Sequence, residues 1–397
     1  MEHRFDTLIL GAGAAGMMCA AHAGARGGRV LVVDHARAPG EKIRISGGGR
    51  CNFTNLHAGP GNFLSGNPHF AKSALARYTQ WDFLDLVARH RIAWHEKTLG
   101  QLFCDDSARQ IVTMLLDEMR AVGAELRLQV SATGIERTPE GFRVSLSDGT
   151  TVATRALVLA TGGKSIPKMG ATGFAYDVAR QFGLRVTETR PALVPLTFGA
   201  PWKERMAALA GVALPVRAAC AEAAFDEAML FTHRGLSGPA ILQASSYWRE
   251  GAGLTLTLLP DGGLAHLKAA RARHGRRALA TVLAEILPQR LAAAWADWHG
   301  LGGNVADCSD ARLAGIAGAL ARWEVLPAGS EGYRTAEVTL GGVATEGLDA
   351  RTMEAKAVPG LYVIGEAVDV TGWLGGYNFQ WAWSSGWAAG TAIAGAG

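Results

Sequence analysis

The sequence predicts an α/β fold: a parallel sheet with covering helices, split by a β-rich, barrel-like insertion and a small helical insert. Three observations predict it. An apolar strand runs straight into a glycine-rich turn and a helix near the start of the chain. A second apolar strand, ending in an acid, follows about 20 residues later. In the middle of the chain, short strand patterns with Pro and Gly breaks give way to Ala, Leu and Arg at helical spacing.

The first strand reads from Phe5 to Leu10 and leads into Gly11, Ala12, Gly13, Ala14, Ala15 and Gly16. This is G-x-G-x-x-G between strand and helix, the context in which it carries chemistry. The first glycine makes the tight turn, the second admits a pyrophosphate, and the third lets helix and strand pack closely. Free amides at the helix N-terminus then hold the anion. The second strand, Val30 to Val33, ends in Asp34, with His35 beside it, placing an acid where ribose hydroxyls are received. An acid there disfavours a 2′-phosphate, although Arg37 is close by. The turn is thus a Rossmann-like site for FAD or NAD and does not separate the two.

Composition bounds the alternatives. The 397 residues are 49% hydrophobic and 19% charged, which excludes a disordered chain, and 51 glycines suit several backbone-lined ligand turns. The five cysteines are scattered without a C-x-x-C pair, which speaks against a disulfide framework and a zinc site and for a reducing cytoplasm; no metal is expected. Leu8 to Ala23, preceded by His3 and Arg4, has the look of a leader, but Asp6, the punctuating glycines and the second strand fit the dinucleotide turn instead. No uninterrupted apolar run of about 18 residues exists elsewhere, so no membrane span is expected. The net charge of +4 permits an anionic partner.

After Asp34, Pro39 to Asn55 reads as too polar and glycine-rich for an element and too dense for a linker. Ser46, Gly47, Gly48 and Gly49, flanked by Lys42, Arg50, Cys51 and Asn52, form a backbone nest with side-chain donors. The stretch resembles the signature GxKxxxSGGGRCNxTN of the BaiN/RdsA-type FAD-dependent oxidoreductases. Further segments resemble that family in order: Ala160, Thr161, Gly162 and Gly163; Phe231 to Pro239 with His233; Thr339 to Val343; and Gly365, Glu366 and Asp369 with Gly375, Gly376, Tyr377, Asn378, Phe379 and Gln380. One departure is Asp34, where a Glu is more usual.

The resemblance implies FAD held non-covalently, with NAD(P)H as a visiting donor because no second complete fingerprint is present. It assigns to the cofactor Lys42, Ser46 to Asn52, Ala160 to Gly162, Gly365, Glu366, Asp369, Gly376, Tyr377, Asn378 and Gln380. The strand Leu361 to Ile364 returns to the sheet to deliver Glu366, and a helix opening at Gly375 and Gly376 turns its amides toward the flavin pyrimidine. Glu125 to Val130 is a strand whose end, Val130, meets the adenine through its backbone. Phe70 to Arg91 and Ser107 to Ala121 read as amphipathic helices, the second opened by a Ser107-x-x-Gln110 capping box, and Gly141 to Ala153 as a hairpin.

The expected domains are residues 1–192 with 344–397 for FAD, 193–262 with 327–343 as the β-rich substrate domain, and 263–326 as the helical insert. His233 and Tyr377 are the candidate proton donors. Each has a plainer alternative: His233 fixing its loop, Tyr377 packing on the flavin. Cys51 reads as a packed thiol, and Trp373 as either packing or a stacking platform. The family implies reduction of a carbon–carbon double bond, with uridine to dihydrouridine in ribosomal RNA as one substrate. The cations Lys268, Arg271, Arg273, Arg276 and Arg277 suit an RNA backbone, or simply form a solvated helix face. A small-molecule reductase or amine oxidase, and a non-catalytic flavin-carrying RNA-binding protein, stay open.

Overall fold

The computed structural model describes Glu2 to Ala396, in two compact units, residues 1–190 with 338–397 and residues 191–337. The first unit is built on five parallel strands in the order Glu125–Leu128, Val30–Asp34, Glu2–Leu10, Thr151–Leu159 and Leu361–Val363. Leu8 sits opposite Leu157 on one side and Leu31 on the other, all fully buried, so the sheet centre is the core. The first strand starts three residues earlier than the apolar run predicts. Glu2, His3 and Arg4 extend it toward solvent by pairing with Thr151, Val152 and Ala153, because the partner strand is longer than its buried part. Gly141–Leu146 and Ala132–Thr138 add antiparallel strands at that end.

The helix Ala14–Ala23 lies between the sheet and the last helix, Tyr377–Gly395. Glycine sets their distance. A Cβ on Gly386 would stand 2.5 Å from the Ala15 carbonyl oxygen, and one on Gly390 would stand 2.5 Å from that of Cys19. The backbones therefore meet along a four-residue repeat where no side chain fits. The rest of the last helix is anchored by aromatics: Trp383 stacks on Phe83 at 4.5 Å and donates to the Phe53 carbonyl at 2.8 Å, while Trp381 donates to that of Gly365 at 2.9 Å.

Three sequence expectations are corrected. The segment 70–91 is two helices, Ala71–Arg77 and Gln80–Arg89, because Tyr78 is extended and Thr79 caps the second through a reciprocal pair with Asp82. The Ser107 box is not made; the Ser107 hydroxyl accepts from Arg109 N–H and the helix begins at Arg109 without a side-chain cap. Residues 39–55 do hold elements: a short helix Glu41–Ile45, a tight turn Ser46–Gly49 and a strand Asn52–Asn55, which pairs with Gln101–Cys104 and through it with Trp94–Glu96.

The second unit carries a seven-stranded antiparallel sheet in the order Trp323–Val325, Leu254–Thr257, Ala213–Cys220, Ala223–Phe231, Gly235–Ser237, Leu196–Thr197, Gly329–Ser330. Helices Leu264–His274, Leu279–Leu283, Gln289–Trp298 and Asp310–Ala321 accompany it. Gln289–Trp298 opens immediately after Pro288. Among the described residues no helix is long and apolar enough to cross a membrane.

Gly390→Leu is expected to lower stability by about 1–3 kcal/mol, by forcing the two helices apart. Thermal unfolding checks this, with a lower midpoint expected than for the control Gly315→Ala, an exposed helical position with nothing within 4 Å of its Cβ site.

Candidate functional site

The glycines of the first turn divide by what surrounds them. At φ +111°, Gly11 has no room for a Cβ, which would fall 2.5 Å from the Ala160 carbonyl oxygen; a Cβ on Gly16 would fall 1.9 Å from that of Gly11. The protein itself enforces these two. Around Gly13 nothing lies within 4 Å of the Cβ position, so only a ligand gives that position a reason to be small. Gly13 is also the N-cap of Ala14–Ala23, with no side-chain cap and no acid in the first turn. Amide donors thus face open space at the positive end of a helix, an anion site.

Asp34 has a role the sequence reading missed. Its Oδ2 accepts from Ala12 N–H at 2.6 Å and its Oδ1 from Ala36 N–H at 2.8 Å, so the carboxylate braces the glycine turn. His35 Nδ1 stands 3.4 Å from Oδ1 and is half exposed. Val130 is buried, and its N–H donates to the Asp34 carbonyl at 3.0 Å, which removes that donor from any adenine contact.

Gly47, Gly48 and Gly49 all lie in the left-handed region, at φ 57°, 66° and 87°. Open space surrounds the Gly48 Cβ position, whereas one on Gly47 would stand 2.7 Å from the Phe103 ring. The nest therefore rests on Phe103 with its far side free. Cys51 is fully buried, and burial pushes its thiol well above the usual range; Cys104 is pushed up to about 12 for the same reason. Neither is a thiolate at neutral pH, as a packed thiol requires.

Lys42 and Glu366 meet in a network that sequence reasoning saw only in part. Lys42 Nζ donates to Glu366 Oε2 and to Ser165 Oγ, both at 2.6 Å; Glu366 Oε1 accepts from Ser165 Oγ at 2.9 Å and from Thr339 N–H at 3.0 Å. Thr339 Oγ1 accepts in turn from Lys164 N–H at 2.8 Å. Ser165 and Thr339 were not among the expected site residues. The signal lay in the Thr339 to Val343 motif and in Lys164 and Ser165, which directly follow the Ala160 to Gly163 motif; this network joins the two segments.

The last helix opens at Gly376, φ +93°, again without a side-chain cap. A Cβ there would stand 2.4 Å from the Thr54 carbonyl oxygen, so the helix start is seated on the strand Asn52–Asn55. Asn378 accepts from Gly372 N–H at 2.8 Å and donates to the Gly372 carbonyl at 2.9 Å, folding the preceding turn back. The Gln380 side chain is fully enclosed between Thr54, Ser384 and the Tyr78 carbonyl. Both side chains act as struts, so any contact of theirs with a cofactor passes through the backbone. Asp369 is buried, accepts from Gly66 N–H at 3.1 Å, and has its carboxyl held above the usual range by burial. Tyr377 packs edge-on to Phe63 and to Trp373, both at 6.3 Å.

These residues fit an elongated dinucleotide carrying a polar ring. Two buried oxygens, Thr161 Oγ1 beside Ala160 and Asn52 Oδ1 beside Gly376, have no protein partner, and two uncapped helix starts and a glycine nest offer amides. Such unmet polar groups are expected where a ligand completes the set.

In the second unit His233 is exposed on a turn closed by Thr232, whose Oγ1 accepts from Gly235 N–H at 3.1 Å. The basic cluster is largely engaged within the protein. Lys268 and Arg271 pair with Asp310, which holds that carboxyl below its usual range, and Arg277 pairs with Glu285. Arg273 and Arg276 are exposed and make no ion pair among the described residues. Four free thiols besides Cys51 are likewise buried, and no cluster able to hold a metal is present among the described residues.

The model of the HI0933-like protein Rossmann domain matches residues 5–392. The chain is 55% identical over 392 residues to the ribosomal RNA dihydrouridine synthase of Escherichia coli, covering 97% of each. It is 45% identical to that of Haemophilus influenzae, covering 99% of each. It is 28% identical to the 3-dehydro-bile acid delta(4,6)-reductase of Clostridium scindens, covering 97% and 98%. Among solved structures, 3-ketosteroid-delta4-(5alpha)-dehydrogenase from Rhodococcus jostii has the same fold, with a TM-score of 0.53 at 13% identity over 99% and 97% of the two chains. With its dinucleotide turn, glycine nest and returning C-terminal strand in place, the chain belongs to the HI0933-like Rossmann family of flavoprotein oxidoreductases.

Proposed function

We propose that this flavoenzyme reduces the C5–C6 double bond of a uridine in ribosomal RNA to dihydrouridine, with NAD(P)H as the electron donor. The observation that carries the reading is 55% identity, over 97% of both chains, to a ribosomal RNA dihydrouridine synthase. FAD, when bound, supplies a hydride at N5 that originates on the nicotinamide. Everything else falls to the chain. The amides around Gly13 hold the pyrophosphate, and Asp34, by bracing Ala12 and Ala36, keeps them aimed. Lys42, fixed by Glu366 and Ser165, presents a cation beside the nest. The amides that open the last helix at Gly376 stabilise negative charge on the pyrimidine of the reduced ring.

Hydride addition to one carbon of the uracil leaves the other to take a proton, so the net reaction consumes one proton per donor oxidised. His233 is the proton donor in this reading, and Tyr377 packs beside the ring. The parallel-sheet unit serves the cofactor and the second unit the substrate side, with residues 263–326 as its helical insert. Arg273 and Arg276 are the cations of that insert free to meet RNA phosphates, while Lys268, Arg271 and Arg277 order it. The protein then works in the cytoplasm, where ribosomal RNA is made and where its five free thiols stay reduced.

Three outcomes are expected. Gly13→Val yields a folded protein that purifies without flavin and unfolds like the flavin-free wild type, since its side chain enters only the ligand's space; a yellow variant would place the pyrophosphate elsewhere. Cells lacking the protein lose dihydrouridine from ribosomal RNA, measured by mass spectrometry of nucleosides. Unchanged content would sink the RNA reading in favour of a small-molecule reductase. His233→Ala lowers turnover on RNA by about 10²–10⁴-fold while NAD(P)H still bleaches the flavin at the native rate, read by stopped-flow absorbance.

A further inference from the structure

Five large apolar side chains are more than a third exposed among the described residues: Ile45, Trp81, Trp94, Leu99 and Leu326. Single exposed apolar residues are ordinary. Leu99 differs from the others in two ways: it has a left-handed backbone at φ +54°, and the loop beneath it is fastened to the start of the last helix. A glycine or asparagine would sit there with less strain and less exposed apolar surface.

The fastening is specific. Asn55, itself buried, donates through Nδ2 to the Leu99 carbonyl at 3.0 Å and to the Gly375 carbonyl at 2.9 Å. Lys97 N–H donates to the Gln101 carbonyl at 3.0 Å and Gln101 N–H to that of Thr98 at 3.1 Å, which closes the tip. Gln101 then packs on Gly375 and accepts from Asn52 Nδ2 at 2.9 Å. One rigid bracket therefore holds both the tip 97–100 and the start of the last helix at Gly376. Lys97, also exposed, lies over the Phe103 ring at 5.5 Å, the same ring that supports the glycine nest.

We infer that this tip is a wedge for RNA. Leu99 enters the base stack at the position vacated by the target uridine, and Lys97 meets the flanking phosphate. The inference rests on the RNA reading above. An enzyme acting on a base within folded RNA must take that base out of its stack, and an apolar side chain that fills the gap lowers the cost of doing so. A rigid apolar point beside a cation, fastened to the start of the last helix where the proposed function would seat the flavin, has the chemistry for this. Leu99 is then a positioning residue and takes no part in hydride or proton transfer.

The test compares wild type with Leu99→Asn, a change suited to the left-handed backbone, on two substrates. One is intact, refolded ribosomal RNA from cells lacking the protein, and the other is the same RNA fragmented to unpaired oligonucleotides. Leu99→Asn is expected to lower kcat/KM on folded RNA about tenfold or more, the cost of a partly uncompensated unstacking, and to change that on fragments less than about twofold. Lys97→Ala should weaken binding of both RNAs and reduce its salt dependence. Equal loss on both substrates, or loss of flavin, would show that Leu99 supports the cofactor site and would overturn the wedge. So would equal turnover of folded RNA by variant and wild type, or a change of oligomeric state in the variant. Failure of the wild type on both RNAs would instead remove the RNA reading itself.

Discussion

Close approach of backbone to backbone, made possible by glycine, is the constraint on which this structure depends. At Gly16 the helix touches the turn that launches it, and at Gly11 the turn touches the strand ending at Leu159. At Gly386 and Gly390 the same helix touches the last one. Each contact is too short for any side chain, so the strand, the turn and both helices form one tightly spaced block. Packing at such density resists small displacements. The uncapped amides at Gly13 and Gly376 are borne by the two helices of that block, which fixes them relative to each other. A ligand that bridges both starts meets donors already in place, and preorganisation of this kind lowers the cost of binding and of charge development alike.

Polar groups then divide between bracing and reaching. Asp34, Asn378 and Gln380 look like ligand contacts in the sequence, yet in the fold each is committed to backbone or side chains of the protein. Thr161 and Asn52 keep a buried oxygen unmet. The distinction has an energetic basis: a buried polar atom without a partner is costly, and the cost is recovered only when a ligand supplies one. Residues with every atom satisfied give shape to the site, and those left unsatisfied mark where a ligand enters it.

This division explains how much was legible beforehand. The strand ending at Leu10, the glycine turn and the acid at Asp34 were legible because each rests on local rules of spacing and conformation. The returning strand at Leu361 was legible from its apolar run and following turn. The role of Asp34 as a brace was not, because Ala12 is no sequence neighbour and the choice between a ribose and an amide depends on a distance. Nor was the break at Tyr78, where the Thr79 and Asp82 pair outweighs a helical pattern that runs on through it. The Lys42, Glu366, Ser165 and Thr339 network joins four separate segments, and only the fold brings them together.

The same reasoning separates charge that orders from charge that acts. Counting cations from Lys268 to Arg277 suggests a broad basic face, but Asp310 takes up Lys268 and Arg271, and Glu285 takes up Arg277. What is left for an anionic partner is Arg273 and Arg276, a smaller surface than the composition implies. Affinity for a polyanion scales with the number of phosphates neutralised, so two free arginines support weak, salt-sensitive contact and little discrimination. Selection of one uridine among many must then come from elsewhere, from shape and from the ease with which a particular base leaves its stack. A rigid tip set beside the amides at Gly376 meets that need better than any further positive charge.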